Sequence, residues 1–364
     1  MQKITIAVFL VFIYAMAALN LAAPKYTYSE NENRYLSELP SMSFSEILSG
    51  HFDTAFEDWF TDHFVARSSW ICVKAKTVQL AGVLENNGVY FGKNGRLIRQ
   101  FLPGSDKMFR SGISALQDFS EKNNFHLNIL LIPEASYGER DSLPSGAFNI
   151  NEKELIETVK KECSGQTVID VSDILQKTEN TYFHTDHHWN ERGAALAYEA
   201  ICREVLHKEP GNYRYDKVSS SFCGTMYSRS GAFWTKPDEL YRIDFEPGIE
   251  VSVEYEDGNR TASLYDAHKL EVKDKYAYYL GGNHAAVHMR TNAASGRSAV
   301  IIKDSFAHIL IPFLAAEYSD IMVYDLRYYH EPVSESVTDQ VNTDIYVIYS
   351  TDSFVNDSSL SALW

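Results

Sequence analysis

From Lys107 to His207 the chain alternates between helix-period and strand-like segments, and this alternation narrows the fold more than any other feature. Lys107 to Asn123 is amphipathic. Phe125 to Ile132 (FHLNILLI) is a mostly apolar run that stops at Pro133. Asn151 to Cys163 reads as a charged helix, Thr167 to Val171 as a short strand, Ser172 to Lys177 as a short helix and Asn190 to His207 as a longer one. Strands covered on both faces read as near-continuous apolar runs, and a helix after each strand points to a parallel sheet. The rhythm returns near the end: strand Ser298 to Lys303 (SAVIIK), a helix from Phe306 to Tyr318, then strands Ile321 to Leu326 and Asp344 to Tyr349. The fold class predicted is α/β with a mostly parallel sheet.

Residues 208–280 break the rhythm. Phe222 to Phe233 is loop-like and aromatic, while Ile249 to Tyr255, Thr261 to Tyr265 and Tyr276 to Leu280 read as strands joined by turns such as Asp257-Gly258-Asn259. This reads as a β-rich insertion forming one wall of a cleft. Upstream, residues 25–50 read as a polar, extended arm. A helical pattern with an aromatic stripe (Phe52, Phe56, Trp59, Phe60, Phe64) follows from His51 to about Leu84, and then a hairpin turning at Lys93 to Gly95. Three regions result: 1–24, 25–100, and a main domain over 101–364.

Ile4 to Ala23 are twenty residues without a charge, enough to span a bilayer as one helix. This is longer than the roughly 7–15-residue apolar core of a cleaved signal, although Leu21-Ala22-Ala23 offers small residues for cleavage. Retained anchor or cleaved signal, residues from about 25 onward are expected outside the cytoplasm. A formal charge of −16 argues against nucleic acid, whose phosphates need cations, and against broad electrostatic attraction to anionic lipid. Cys72, Cys163, Cys202 and Cys223 show no CxxC spacing, so dithiol and metal motifs are absent; paired and free thiols both remain open.

Two stretches carry chemistry. Ser305 sits where an apolar strand ends and a helix begins, at the sheet edge where open α/β folds keep their sites. There a hydroxyl is a nucleophile beside helix N–H groups, or else Asp304 or Ser305 simply caps the helix. The second stretch is Thr185-Asp186-His187-His188-Trp189. If it is extended, side chains alternate, so His184, Asp186 and His188 share one side and His187 the other. Asp186 then orients the His188 ring, and Trp189 walls it from water. The rival is a metal site using His184, Asp186, His187 and His188 with distant His284 or His288, but no helix-borne zinc spacing is present. Leu280-Gly281-Gly282-Asn283-His284 is either an ordinary turn or a loop lending amide donors to an oxyanion.

These residues resemble the DHHW family of bacterial exported proteins, through Asp186-His187-His188-Trp189 itself. Glu32 to Leu36, Asn87 to Gly92, Gly281 to Asn283, Lys303 to Phe306 and Tyr324 to Tyr329 resemble its usual blocks. The family is in turn similar to SGNH-hydrolase-like proteins that O-acetylate alginate at the cell surface. The resemblance implies a three-layer α/β/α sandwich with the Asp-x-His element before the serine, a circular permutation of ordinary SGNH esterases. It implies Ser305 as nucleophile, His188 as general base and Asp186 as orienting acid. Lys303 stands where the esterase block has glycine, and the family's asparagine has Asn283 as first counterpart, with Ser350 after the last strand. Gly282, Asn283, Trp189 and Arg327 are the candidates for oxyanion or substrate contacts. The implied activity is extracytoplasmic O-acyl transfer or ester hydrolysis on a cell-surface polysaccharide. It needs no metal or other cofactor, and a membrane-bound acyltransferase would serve as acyl donor. The alternative is a non-catalytic polysaccharide-binding or assembly accessory that keeps the fold.

Overall fold

The computed structural model describes residues 2–102 and 104–363. It comprises two compact units. The first runs up to Asn87 and takes in Tyr227–Trp234; the second holds Gly88–Met226 and the chain from Thr235 on.

In the first unit, helix α1 (Gln2–Ala22) is exposed along nearly its whole length. Its Lys3–Ala22 portion, with mean hydropathy 2.4, is long and apolar enough to cross a membrane. A small bridge pairs Tyr28–Ser29 with Arg34–Tyr35, and α2 (Phe44–Ser49) follows. The stripe expected as one helical pattern is split into α3 (His51–Asp62) and α4 (Arg67–Leu80), because Ala66 takes a left-handed conformation at φ 56°. Buried Asp62 closes α3. Its carboxylate accepts from Arg34 Nη1 at 2.9 Å and from both Ser37 N and Ser37 Oγ at 2.9 Å. The Arg34 guanidinium holds the Asp62 carboxyl well below the usual carboxylate range, against the opposing effect of burial.

The second unit opens with the expected hairpin, β1 (Val89–Phe91) paired with β2 (Leu97–Arg99). Then come α5 (Asp106–Asn123), β3 (Leu127–Ile132), α6 (Glu152–Glu162), β4 (Thr167–Ile169), α7 (Ser172–Lys177) and α8 (Glu191–Ile201). Ser105 caps α5 by accepting from Met108 N, and Asn190 caps α8 by accepting from Arg192 N and Gly193 N. The 208–280 segment divides. β5 (Tyr213–Phe222) and β6 (Asp238–Phe245) form a separate antiparallel ribbon, while β7 (Val251–Tyr255) and β8 (Arg260–Thr261) extend the main sheet. The strand expected at 276–280 is instead a 3-10 turn, Lys275–Tyr278. β9 (Ala286–Thr291), β10 (Ser298–Lys303), β11 (Asp320–Tyr324) and β12 (Thr343–Ser350) complete the set.

Among the described residues, eight strands form the main sheet in the order β8-β7-β9-β11-β10-β12-β3-β4. The five from β11 to β4 are parallel, and the other three are antiparallel. Successive residues of each central strand are buried on alternate faces. Leu127, Ile129, Leu131, Ile345, Val347 and Tyr349 pack under α5 and α6 with Phe109, Ile113, Leu116 and Ile156. On the other face Tyr346 bonds Tyr318 at 2.6 Å, and α8 packs Tyr198 on Phe313 at 5.1 Å. The result is a three-layer α/β/α arrangement. In register, Lys303 lies beside Ile348, and Ser350 beside Ile132, so β10, β12 and β3 end on one carboxyl edge. The long helix expected from Phe306 is shortened to a 3-10 turn, Ser305–Ile309, and one turn at Ile311–Leu314, with Leu310 at the junction and Pro312 in the first turn after it.

Tyr198 gives a test of this packing. Its hydroxyl donates to Glu317 Oε1 at 2.5 Å and accepts from Gly211 N at 2.8 Å. Tyr198→Phe keeps the ring but leaves two polar groups without this partner. It should lower unfolding free energy by about 1–3 kcal/mol in urea titrations.

Candidate active site

β10 delivers Asp304 and Ser305 to the carboxyl edge of the sheet. Asp304 is extended and buried, and caps the following turn. Its Oδ1 accepts from Phe306 N at 2.9 Å and its Oδ2 from Ser350 N at 2.9 Å, tying the turn to the neighbouring strand. Asp304 therefore does the capping, and the Ser305 hydroxyl is left to face His188. The Ser305 backbone N–H makes no hydrogen bond among the described residues.

The Asp-His-His-Trp stretch is not the extended strand that alternation assumes. Tyr182 and Trp189 pair as an antiparallel bridge, and Phe183 N donates to His188 O at 3.2 Å, so residues 183–188 form a tight loop. Asp238 holds that loop, accepting from His184 N at 2.8 Å, Thr185 N at 2.7 Å and Thr185 Oγ1 at 2.5 Å. The side assignments change accordingly. His184 turns away to Arg96, with Nε2 3.0 Å from Nη2. Burial and then the Arg96 charge lower the His184 imidazole to about 4, so it stays neutral. His187 does not lie opposite: its ring sits 3.9 Å from that of His188, and its Nδ1 is 3.6 Å from Asp186 Oδ1.

His188 is held at both nitrogens. Nδ1 is 2.5 Å from Asp186 Oδ1, and Nε2 is 2.8 Å from Ser305 Oγ. Asp186 Oδ1 also accepts from His188 N at 3.1 Å, and Oδ2 from Thr225 N at 2.7 Å. Burial by itself raises the Asp186 carboxyl; electrostatic attraction to the His187 and His188 rings and these hydrogen bonds outweigh it and hold it well below the carboxylate range. Asp186 is therefore an anion that fixes Nδ1–H on the ring and leaves Nε2 as acceptor toward the serine.

Four supports were not visible in the sequence. Tyr276 stacks flat on His188, rings 3.9 Å apart at 9°, and its hydroxyl donates to Ser305 O at 3.0 Å. Burial and the Asp186 charge raise this phenol well above its ordinary value, which keeps it a donor. Gly224 passes so close to Asp186 that a Cβ there would meet the carboxylate at 2.3 Å, and Thr225 next to it supplies the N–H. Asp238 is the fourth. A glycine in a loop signals a close backbone approach, but the group approached lies 38 residues away in sequence.

Trp189 is fully buried and donates Nε1–H to Phe306 O at 2.7 Å. It braces the serine turn. Lys303, in the glycine position, is buried and donates to Asp325 Oδ2 and His308 Nε2, both at 2.9 Å. Arg327 Nε donates to Asp325 Oδ1 at 2.8 Å, and its Nη2 reaches Asn283 Oδ1 at 3.5 Å. Asn283 is exposed and Gly282 buried, where a Cβ would meet that of Ala277 at 3.3 Å. Asp186, His187 and His188 present ligand atoms within 4.8 Å of one another. Both His188 nitrogens and both Asp186 oxygens already have protein partners, however, and the distant histidines face Glu256 (His284) and Asp320 (His288). All four cysteines are free thiols.

The family model of the DHHW proteins matches residues 159–324, which span this loop, Tyr276 and Ser305. No curated protein matches the chain. Among solved structures, a DHHW family protein from Eubacterium siraeum is similar at TM-score 0.64 and 22% identity, covering 76% of this chain and 95% of that one. PatB1 of Bacillus cereus, solved with a sulfonyl adduct, is similar at TM-score 0.61 and 20% identity, covering 73% and 96%. The O-acetyltransferase domain of Pseudomonas putida AlgJ is similar at TM-score 0.50 and 13% identity, covering 76% and 95%. At these identities the likeness is one of fold.

The depressed Asp186 carboxyl has a pH consequence. A group whose folded value is lowered stabilises fully above its unfolded value and loses that contribution as pH falls toward the folded one. The stability difference between the wild type and Asp186→Asn should be largest near neutral pH and narrow below about pH 4. Urea denaturation across this range checks it.

Proposed function

We propose that this chain, with its DHHW match and its fold shared with an O-acetyltransferase domain, is a serine-dependent O-acyl transferase or esterase. Acetyl is the group and a cell-surface polysaccharide the substrate, and α1 anchors the chain outside the cytoplasm. The observation that carries the reading is the run of two short hydrogen bonds, Asp186 to His188 to Ser305, at 2.5 and 2.8 Å. Contact near 3 Å between nucleophile and base, with the base held by a third group, is the geometry of an activated serine.

In the proposed reaction Ser305 Oγ attacks the carbonyl carbon of an acyl ester while His188 Nε2 takes its proton. Negative charge moves to the carbonyl oxygen, where the unoccupied Ser305 N–H at the start of the turn is a donor. The C–O bond to the leaving group then breaks, and His188 returns the proton to that oxygen, leaving an acyl-serine. A sugar hydroxyl, or water, attacks next. His188 takes its proton, and the acyl group leaves Ser305, whose oxygen is reprotonated. Acetyl-CoA is not available outside the cytoplasm, so a membrane-bound acyltransferase is the proposed donor partner. Tyr276 keeps the imidazole in plane and the Ser305 carbonyl in place throughout.

The full chain incubated with a chromogenic acetyl ester, with and without oligosaccharide, tests the reading and separates transfer from hydrolysis. Ser305→Ala and His188→Ala should each lower acyl release by about 10³-fold or more, and a sulfonyl fluoride should modify the wild type but not Ser305→Ala by mass spectrometry. Equal release by wild type and Ser305→Ala ends the enzyme reading; polysaccharide binding without any acyl release supports the accessory alternative.

Tyr276 separates ring from hydroxyl. Tyr276→Phe keeps the stack and should cost about 10-fold in kcat, whereas Tyr276→Ala also frees the imidazole and should cost about 100-fold, with KM nearly unchanged.

A further inference from the structure

We propose that the exposed aromatic face of α2 and α3 lies on the outer surface of the same bilayer that α1 crosses. This rests on the membrane-anchored reading of α1 given above. α1 and α3 are joined continuously within the first unit. Asn20 sits two residues before the end of the apolar span, or roughly 3 Å along a helix axis at 1.5 Å per residue. It is only 5% exposed, and its Oδ1 accepts from Val65 N at 2.9 Å. Lys25 Nζ donates to Asn20 O at 2.8 Å and to His63 O at 3.2 Å, and stands 5.5 Å over the Trp59 ring. The carboxyl end of α3 is thereby fastened to the last turn of α1, at headgroup depth.

The surface held at that depth is apolar. On α2, Phe44 and Leu48 are 78% and 73% exposed and lie one turn apart. On α3, Phe56 and Phe60 are each 41% exposed, in a ladder of rings from Phe52 to Phe64 with centroids 5.7–6.3 Å apart. Asp53, Glu57 and Asp58 occupy the remainder of the α3 circumference. An amphipathic helix with aromatic residues on one face and charges on the other, lying beside a spanning helix, suits the interface plane. The acids make attraction to anionic headgroups an unsuitable driving force, so apolar burial holds the face down and added salt should not release it.

The full chain reconstituted in phosphatidylcholine vesicles brominated on the acyl chains tests this through tryptophan quenching. Each variant is compared with the parent, which carries its own tryptophans. Phe9→Trp in α1 reports the span itself, Leu48→Trp and Phe56→Trp report the face, and Asp58→Trp reports the side expected in water. The added emission of the first three should be quenched by bromolipid, with and without high salt, and that of Asp58→Trp should not. If Phe9→Trp is quenched while Leu48→Trp and Phe56→Trp behave like Asp58→Trp, the docking inference fails and the anchor stands. If Phe9→Trp is not quenched, the anchor reading falls and the docking inference with it. If the face is shielded from aqueous acrylamide only in native membranes and not in pure lipid, its occupant is a protein, and the inference is overturned.

Discussion

The second unit depends on how one buried carboxylate is used. Asp304 directs its two oxygens to backbone N–H groups, one in its own turn and one at the end of the neighbouring strand. Buried backbone donors must find partners, and a charged acceptor meets that need more strongly than a neutral one. The turn at the carboxyl edge is thereby fixed to the sheet, and the adjacent serine is released from capping. The hydroxyl stands outward because the residue before it already does the structural work. Trp189 adds a second brace, binding the carbonyl of Phe306 from the histidine loop. The two halves of the site, 117 residues apart in sequence, thus share a backbone contact as well as a side-chain one.

Around the imidazole the surroundings leave little freedom. Asp186 holds one nitrogen in the plane, Tyr276 covers one ring face, and His187 packs at 3.9 Å. Asp186 is itself held by the Thr225 N–H and by the close passage of Gly224. In the proposed reaction, an imidazole positioned by packed neighbours loses little in reorganisation when charge develops, and that is where sites of this kind gain most of their effect. The Lys303–Asp325–Arg327 cluster is a different solution to burial: charges that would be costly alone are paired inside the sheet edge. A lysine in the glycine position is accommodated because Asp325 and His308 receive it.

Much of the architecture was legible in the sequence. Parallel strands are apolar on both faces and helices have a 3.6-residue period, so SAVIIK, LNILLI and the amphipathic 106–123 segment announce themselves. Misreadings fell where local pattern is weak or overridden. Tyr276 to Leu280 has strand-like composition, but its tyrosines are pulled inward to His188, Ser305 and the Tyr241 carbonyl, and the backbone turns to let them reach. The 183–188 stretch has strand-like alternation, but Asp238 takes its N–H groups and folds it into a loop. Alternation rules hold only while the backbone is extended, which explains why His184 and His187 changed places relative to Asp186.

The sequence by itself determined the class of fold and an apolar segment long enough to span a bilayer, and it singled out Asp186, His188 and Ser305 as candidates. Each of these rests on local signals: period, length, and residue types at the end of a strand. Only the tertiary structure decided that Asp304 and not Ser305 caps the turn, that Tyr276 and Gly224 confine the imidazole and its acid, that Trp189 is a brace, and that α3 is fastened to the carboxyl end of α1. Apart from the cap itself, those are contacts between segments tens to more than a hundred residues apart, and no local propensity encodes which distant group will meet a given donor, ring or glycine once the chain has packed.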